Sequence, residues 1–276
     1  MSLLWRDQLR FALCPDRVIF TRISRGLRPR VVDKQIECFS PVSGEAAWKP
    51  ALEAVQFILE EQSGKPSADA LLILSNHFVR YAVVPWSKDP VSEEEEMALV
   101  RYRFSQVFGD LSAHWTLRVS DAEFGSSRLA AAVDQELLDE AGKLFAGSRI
   151  HLRSVQPYLM ATFNQWRSSL SNGWFLLAEP GRLSLALLQQ GSWTLVRNRN
   201  IGEMIAAELP LILDQERLLC GVADSPKQLL LHMPSESAFK LPEDSDWSVS
   251  ELRIPPRSGF SPYTDAQYSM AMSGSF

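Results

Sequence analysis

A chain of 276 residues that is 46% hydrophobic and 22% charged is long enough for two domains with real cores and too apolar to be disordered. A formal net charge of -5 gives no general basis for nucleic-acid binding. The three scattered cysteines, Cys14, Cys38 and Cys220, support neither a disulfide framework nor a zinc site, so the expected setting is reducing and cytoplasmic. No window reaches the ~18 consecutive apolar residues of a membrane span, and the N-terminus lacks the apolar core of a signal peptide.

Taken in chain order, apolar runs alternating with turn residues predict three strands near 9–13, 17–24 and 30–39. A helix follows, with Pro50 in its first turn and Ala51, Val55, Ile58 and Leu59 on one face. Gly64-Lys65-Pro66-Ser67 breaks the chain; the P-loop spacing fails because Leu59 stands at the upstream glycine position and Pro66 removes a donor. Ala70 to Leu74 is a continuous apolar run of the buried parallel type, and Phe78 to Pro85 is a further strand. Ser92 and Glu95 form a capping box before a helix whose Met97, Val100, Phe104 and Val107 share a stripe. The acids Glu93 to Glu96 suit a helix start through the macrodipole, with engagement of a basic partner as the lesser alternative. Strands near 115–119 and 129–133 precede a helix opened by Asp134, and then come a strand near 149–155 and a helix from Pro157 ending near Asn172-Gly173. The pattern restarts with strands near 174–178, 182–189 and 192–198. A helical stretch from Gly202 to about Gln215 follows, in which Pro210 predicts a kink or restart. Strands near 228–233 and 248–254, the Pro255-Pro256 break and a short helix near 264–272 complete the series.

One segment occurs twice. Leu13-Cys14-Pro15-Asp16-Arg17-Val18, closed by Gly26, recurs as Ala178-Glu179-Pro180-Gly181-Arg182-Leu183, closed by Gly191. The repeat predicts an α/β protein of two related halves, 1–171 and 172–276, the first enlarged by a small inserted subdomain at about 78–133.

These features together resemble the actin-like PilM proteins of type IV pili and the related GspL cytoplasmic domains and MshI-type pilus proteins. The match rests on the order of a three-stranded meander, a helix, an insertion and a second meander whose last strand ends in Arg197-Asn198-Arg199-Asn200-Ile201-Gly202. Phe78 to Pro85 with Glu93 to Glu96 resembles the opening of the family's insertion. Leu129-Ala130-Ala131-Ala132-Val133-Asp134 is similar to its strand before a helix, and Tyr268 to Gly274 to its closing helix. The resemblance implies a two-domain actin-like fold of RNase H-like halves. It also implies a cytoplasmic, non-catalytic scaffold at the inner face of the bacterial inner membrane. Such a scaffold docks a short cytoplasmic segment of an inner-membrane protein of a type IV pilus or type II secretion platform. An assembly ATPase is a further candidate partner; nucleic acid is not one, and the membrane is touched only peripherally. The family's span-bearing members carry their span after the actin-like domain. None precedes Phe276, which leaves membrane attachment to residues beyond it or to a partner.

The departures from the family decide the chemistry expected. Nucleotide-binding members read Asp-x-Gly at both turns, whereas this chain places Leu13 and Pro15 at the first and Ala178 and Pro180 at the second. Proline has no N–H to donate to a phosphate, and neither Leu13 nor Ala178 can organise a metal. Glu179 is one residue from the acidic position, but strand alternation sends it to the opposite face. His232-Met233-Pro234-Ser235 stands where the family has a Gly-Gly adenosine turn. No cofactor, metal site or enzymatic activity is therefore expected. The alternative is an ATP-binding phosphotransferase or ATPase of the same superfamily using other residues, and a nuclease would need the carboxylate that Leu13 replaces. His77, His114, His151 and His232 show no ligand spacing, and no Gly-x-Ser-x-Gly elbow is present. Two surface features remain candidates: Arg6, Arg10, Arg22, Arg25, Arg28 and Arg30 around the first meander tip, and the apolar Leu3-Leu4-Trp5. An apolar or strand-edge groove in the enlarged first half is the expected docking surface, and a fragment of about 1–170 is expected to retain partner binding.

Overall fold

A computed structural model describes residues 6–44, 46–88, 92–202, 205–222, 227–234 and 240–275. Leu3-Leu4-Trp5 and Ser235 lie outside them.

Two five-stranded sheets have the same strand order. The first runs β3(Arg30–Cys38), β2(Arg17–Ser24), β1(Asp7–Leu13), β4(Ala68–Leu74), β8(Ile150–Pro157). The meander β1 to β3 is antiparallel, and β4 and β8 join it in parallel. The second sheet repeats this as β11(Ser192–Asn200), β10(Arg182–Gln189), β9(Gly173–Glu179), β12(Gln228–His232), β13(Ser248–Glu251), with the same directions. A third sheet of three strands, in the order β5(Val79–Val84), β7(Arg128–Asp134), β6(Trp115–Val119), comes from the stretch expected to be inserted.

The chain groups into two compact units that no single cut separates. Residues 1–79, 134–165 and 253–276 form one, and 80–133 with 166–252 form the other. A division at 171/172 separates the two meanders in sequence, but the closing segment from Arg253 packs with the first sheet.

In the first unit, alternation along β1 divides its side chains between two covered faces. Phe11 packs against Phe20 at 5.0 Å and against Phe145 of α3(Gln135–Ala146) at 5.8 Å. Helix α1(Lys49–Gln62) buries Ala51, Val55, Ile58 and Leu59 as the apolar spacing requires. On the other face, Arg10 donates to the carbonyls of Met272 and Gly274 at 3.1 and 2.7 Å, holding the end of α6(Ser269–Ser273). Gly274 lies so close that an added Cβ would sit 2.5 Å from a Leu71 methyl. At the sheet edge, the Val31 amide donates to Ser258, and Gly259, with φ +81°, approaches Val31 where no larger residue fits.

In the second unit, Trp174, Leu176 and Ala178 of β9 join Leu183, Leu185 and Leu187 of β10 with Leu209 and Leu213 of α5(Ile205–Leu219) in one core. Pro210 lies inside α5, and the helical path continues through it rather than restarting. Trp174 and Trp247 meet edge to face at 6.1 Å. The three-stranded sheet packs Val84, Leu117, Ala130 and Ala132 against Val100 and Phe104 of α2(Glu93–Phe108). Ser92 caps α2, accepting from the Glu95 amide at 3.2 Å. Helix α4(Tyr158–Trp166) stops well short of the end expected near Asn172.

Candidate functional site

The two repeated turns have the same length and different chemistry. Cys14 and Arg17 face each other across the first, with the Cys14 amide donating to the Arg17 carbonyl at 2.9 Å. Pro15 and Asp16 are the two residues between them. In the second, Glu179 pairs with Arg182 around Pro180 and Gly181. Gly181 has φ +72°, as a type II turn with proline at its first central position requires. Among the described non-glycine residues only Gln190 has a positive φ, so Asp16, unlike Gly181, has a negative φ. One central amide is left in each turn, that of Asp16 in the first and that of Gly181 in the second. Proline removes the other amide.

Leu13 is fully buried at the end of β1 and Ala178 is 3% exposed at the end of β9, each inside the apolar packing of its own unit. Neither position reaches solvent to hold a metal-bound phosphate. Glu179 lies on the face of β9 opposite Ala178, as alternation requires, and is itself buried. Beside this turn Arg182 donates to Asn200 at 2.8 Å. Burial lowers the Arg182 pKa, and also that of Arg80, where the nearby Arg182 charge adds to the effect.

At the third position, the His232 ring closes the end of β12. Its Nδ1–H donates to the Leu252 carbonyl at 2.7 Å, and the ring lies 4.8 Å from that of Trp166. Burial lowers its pKa to about 4 against the opposing pull of the Leu252 hydrogen bond, which keeps the imidazole neutral at pH 7. Among the described residues no group of three or more His, Cys, Asp or Glu side chains is placed to hold a metal ion.

Of the arginines expected around the meander tip, Arg25, Arg28 and Arg30 lie at the turn between β2 and β3, whereas Arg10 and Arg22 are buried. Arg10 is buried on the α6 carbonyls, and Arg22 is buried in an ion pair with Asp7 at 2.7 Å and a hydrogen bond to Gln62 at 2.9 Å. Arg6 pairs with Asp69 at 3.7 Å. These side chains were read as surface because they alternate along strands whose second faces are covered by residues distant in sequence. Arg28 and Arg30 are exposed.

A cavity of about 410 Å³ lies where β5 hands over to α2. Its lining includes Trp86, Lys88, Glu93, Glu96, Phe124 and Arg128. Trp86 and Phe124 meet edge to face at 5.2 Å, and Phe124 is 93% exposed. The turn from Glu123 to Ser126, closed by a 3.0 Å hydrogen bond and built on Gly125 with φ +86°, holds that ring outward. The Lys88 ammonium lies 6.0 Å over the Trp86 ring, and Arg128 grips Glu96 at 2.9 Å. The sequence marks this site only through the acidic helix start at Glu93 to Glu96; Trp86 and Phe124 fall in no apolar periodicity.

No family model and no curated protein matches this chain. Solved structures do. A PilM–PilN type IV pilus biogenesis complex is similar over 96% of each chain, at 15% identity and TM-score 0.66. The cytoplasmic domain of EpsL, an inner-membrane component of the type II secretion system of Vibrio cholerae, is similar over 98% of this chain and 96% of its own, at 12% identity and TM-score 0.59. A Bacteroides thetaiotaomicron protein of unknown function with an actin-like ATPase fold is similar over 84% of each, at 10% identity and TM-score 0.56. The fold is actin-like. In this frame Leu13 and Pro15 lie at the first hairpin of one meander, and Ala178 and Pro180 at the first hairpin of the other.

Proposed function

We propose that the chain is a non-catalytic scaffold of a type IV pilus or type II secretion platform. On this reading it works at the cytoplasmic face of the inner membrane, where it docks a short cytoplasmic segment of an inner-membrane protein. The observation that carries this is the burial of Leu13 and Ala178 in apolar packing at the two positions where an actin-like nucleotide site needs carboxylates. The likeness to PilM in a complex with PilN and to EpsL, over nearly the whole chain, supports the choice of machine. No helix among the described residues is long and apolar enough to cross a membrane, which fits attachment through a partner.

The docking surface assigned here is the block carrying the third sheet, α2 and the cavity of about 410 Å³, whose mouth presents exposed aromatic surface to an extended segment. The test is capture from bacterial membranes with the full chain as bait and identification of the bound protein. The expected product is an inner-membrane protein encoded among pilus or secretion components, whose binding is lost when its short cytoplasmic segment is deleted. Capture that survives this deletion overturns the docking mode. Calorimetry with Mg-ATP tests the absence of a nucleotide site. A dissociation constant in the micromolar range, about -8 kcal/mol, overturns the non-catalytic reading. Restoring Asp at Leu13 and Ala178 together with Gly at Pro15 and Pro180 is not expected to create tight binding, because the Gly-Gly adenosine turn is also missing, with His232-Met233-Pro234-Ser235 in its place in the sequence.

A further inference from the structure

Resting on the reading above that the chain works at the inner face of a membrane, we propose that the turn between β2 and β3 is a contact for an anionic lipid surface. Residues 25–29 leave the sheet beyond the paired residues Ser24 and Arg30, where the Ser24 hydroxyl donates to the Arg30 carbonyl at 3.3 Å. Leu27 stands in the middle of this turn and is 96% exposed, and no large apolar side chain among the described residues is more so. Arg28 and Arg30 follow it, both exposed, with Pro29 fixing the backbone between them. Arg257 comes to the same edge, because the Ser258 carbonyl next to it accepts from the Val31 amide at 2.8 Å, and it too is exposed. Among the described residues no carboxylate lies within ion-pair distance of Arg28, Arg30 or Arg257. The acids of the flanking strands are already held, Asp7 by Arg22 at 2.7 Å and Asp33 by Lys65 at 3.1 Å. The surplus charge reaches inward as well: the Arg10 pKa is lowered to about 9, by burial first and then by the charges of Arg257 and Arg25.

An exposed leucine set between guanidinium groups matches the layering of a lipid surface. The leucine buries itself at the boundary of headgroups and acyl chains, while the arginines, on apolar stems, stay level with the phosphates. The cytoplasmic leaflet carries the negative surface potential that these cations answer. RNA would call for a ring on which bases stack, and Arg25-Gly26-Leu27-Arg28-Pro29-Arg30 has none. A free phosphate would leave Leu27 in water. The chain as a whole carries a formal charge of -5, so attraction to an anionic surface is local to this edge. Screening over about 8 Å at physiological salt keeps it local and gives the bound chain one orientation. A single leucine with three arginines makes a weak contact, one that adds to a protein partner's grip on the chain rather than replacing it.

The experiment sediments the full chain with vesicles of phosphatidylcholine alone and with vesicles that also contain phosphatidylglycerol. The chain is expected to bind only the anionic vesicles, and more weakly as salt rises. Arg28→Gln should weaken the partition roughly fivefold and Arg28→Gln with Arg30→Gln roughly twentyfold or more. Leu27→Ser leaves the charge unchanged and should still weaken it roughly tenfold, which separates insertion from attraction alone. All three residues are exposed, so the variants leave the core intact. Equal sedimentation with both kinds of vesicle overturns the proposal, as does indifference to Leu27→Ser or to the double arginine variant. Release from the vesicles by inorganic phosphate beyond that caused by chloride at equal ionic strength would assign the turn to a free anion, and tighter binding of single-stranded RNA than of vesicles would assign it to nucleic acid; either overturns the lipid contact. Membrane capture separates this inference from the reading it rests on. If the partner is captured and the vesicles are not bound, the scaffold reading stands and the lipid contact falls; if the vesicles are bound and no partner is captured, the docking reading falls and the lipid contact stands.

Discussion

The central strands of the two meanders fill equivalent positions with opposite chemistry. With Leu13 laid on Ala178, Arg10 of β1 falls on Phe175 of β9, and Arg22 of β2 on Leu187 of β10. All four are buried. A shared strand order therefore does not dictate an apolar central strand; it dictates that whatever is buried be matched. Arg10 is matched by two carbonyls at the end of α6, and Arg22 by Asp7 and Gln62. Phe175 and Leu187 need only packing.

The sharpest way to break this comparison is to exchange the chemistry. Phe175→Arg is expected to cost roughly 4 kcal/mol or more, because it buries a charge without the carbonyls that receive Arg10. Arg10→Leu is expected to cost about 3 kcal/mol, leaving the Met272 and Gly274 carbonyls without that donor. Urea unfolding of each variant measures both. Equal costs would mean that the two strands are interchangeable and that the match to α6 contributes little.

Next in size is Gly259→Ala, expected to cost roughly 3 kcal/mol, since the new Cβ would stand far inside contact distance of the Val31 carbonyl at φ +81°. Hydrogen exchange at the Val31 amide, which donates to Ser258, should accelerate in this variant, and the second unit should not respond.

A comparable effect belongs to the second unit and appears only in acid. The folded pKa of His232 is lowered to about 4 by burial, against an ordinary value of 6.5. Between pH 6.5 and 4 the unfolded chain binds a proton that the folded chain does not, so stability falls as pH drops through that window. The loss amounts to about 3 kcal/mol at its lower end. His232→Phe should flatten this part of the stability profile without changing its slope above pH 7. The smallest effect is expected on the exposed side of α5, where Leu218→Glu at a residue 72% exposed should shift stability by no more than about 0.5 kcal/mol.

How much of this was legible in the sequence varies with the range of the interactions. The first meander, α1 and the Ser92 cap of α2 follow from turn residues and apolar spacing, which are local, and the strand bounds agree to within two residues. The destination of Arg10 does not follow from them, because its acceptors lie 262 and 264 residues away and no periodicity encodes a contact at that separation. Arg22 was misplaced for the same reason: its partner Gln62 sits on α1, which covers the sheet. Within the candidate site, the acidic start of α2 was legible, whereas the aromatic wall was not. Trp86 and Phe124 come together through the turns at Pro85–Lys88 and Glu123–Ser126, and neither turn belongs to a periodic pattern. Of the kink or restart that Pro210 predicts, the restart does not occur: α5 runs through it, with Leu209 and Leu213 packed in the core on either side. The expectation that a fragment of about 1–170 keeps partner binding meets the same long-range contacts. Such a fragment lacks α6 and the turn at Gly259, both of which the first sheet uses.

The clamp of Arg10 on Met272 and Gly274 also has a consequence for synthesis on the ribosome. The strand bearing Arg10 is made well before residues 272–274, so two of the carbonyls that receive its charge do not yet exist when it leaves the ribosome. The other unit ends at Leu252, so every residue it needs is translated before residues 272–274 exist. Order of manufacture and order of folding are therefore expected to differ, with the first sheet completed only after residues 272–274 are made and the unit that ends at Leu252 able to fold before it.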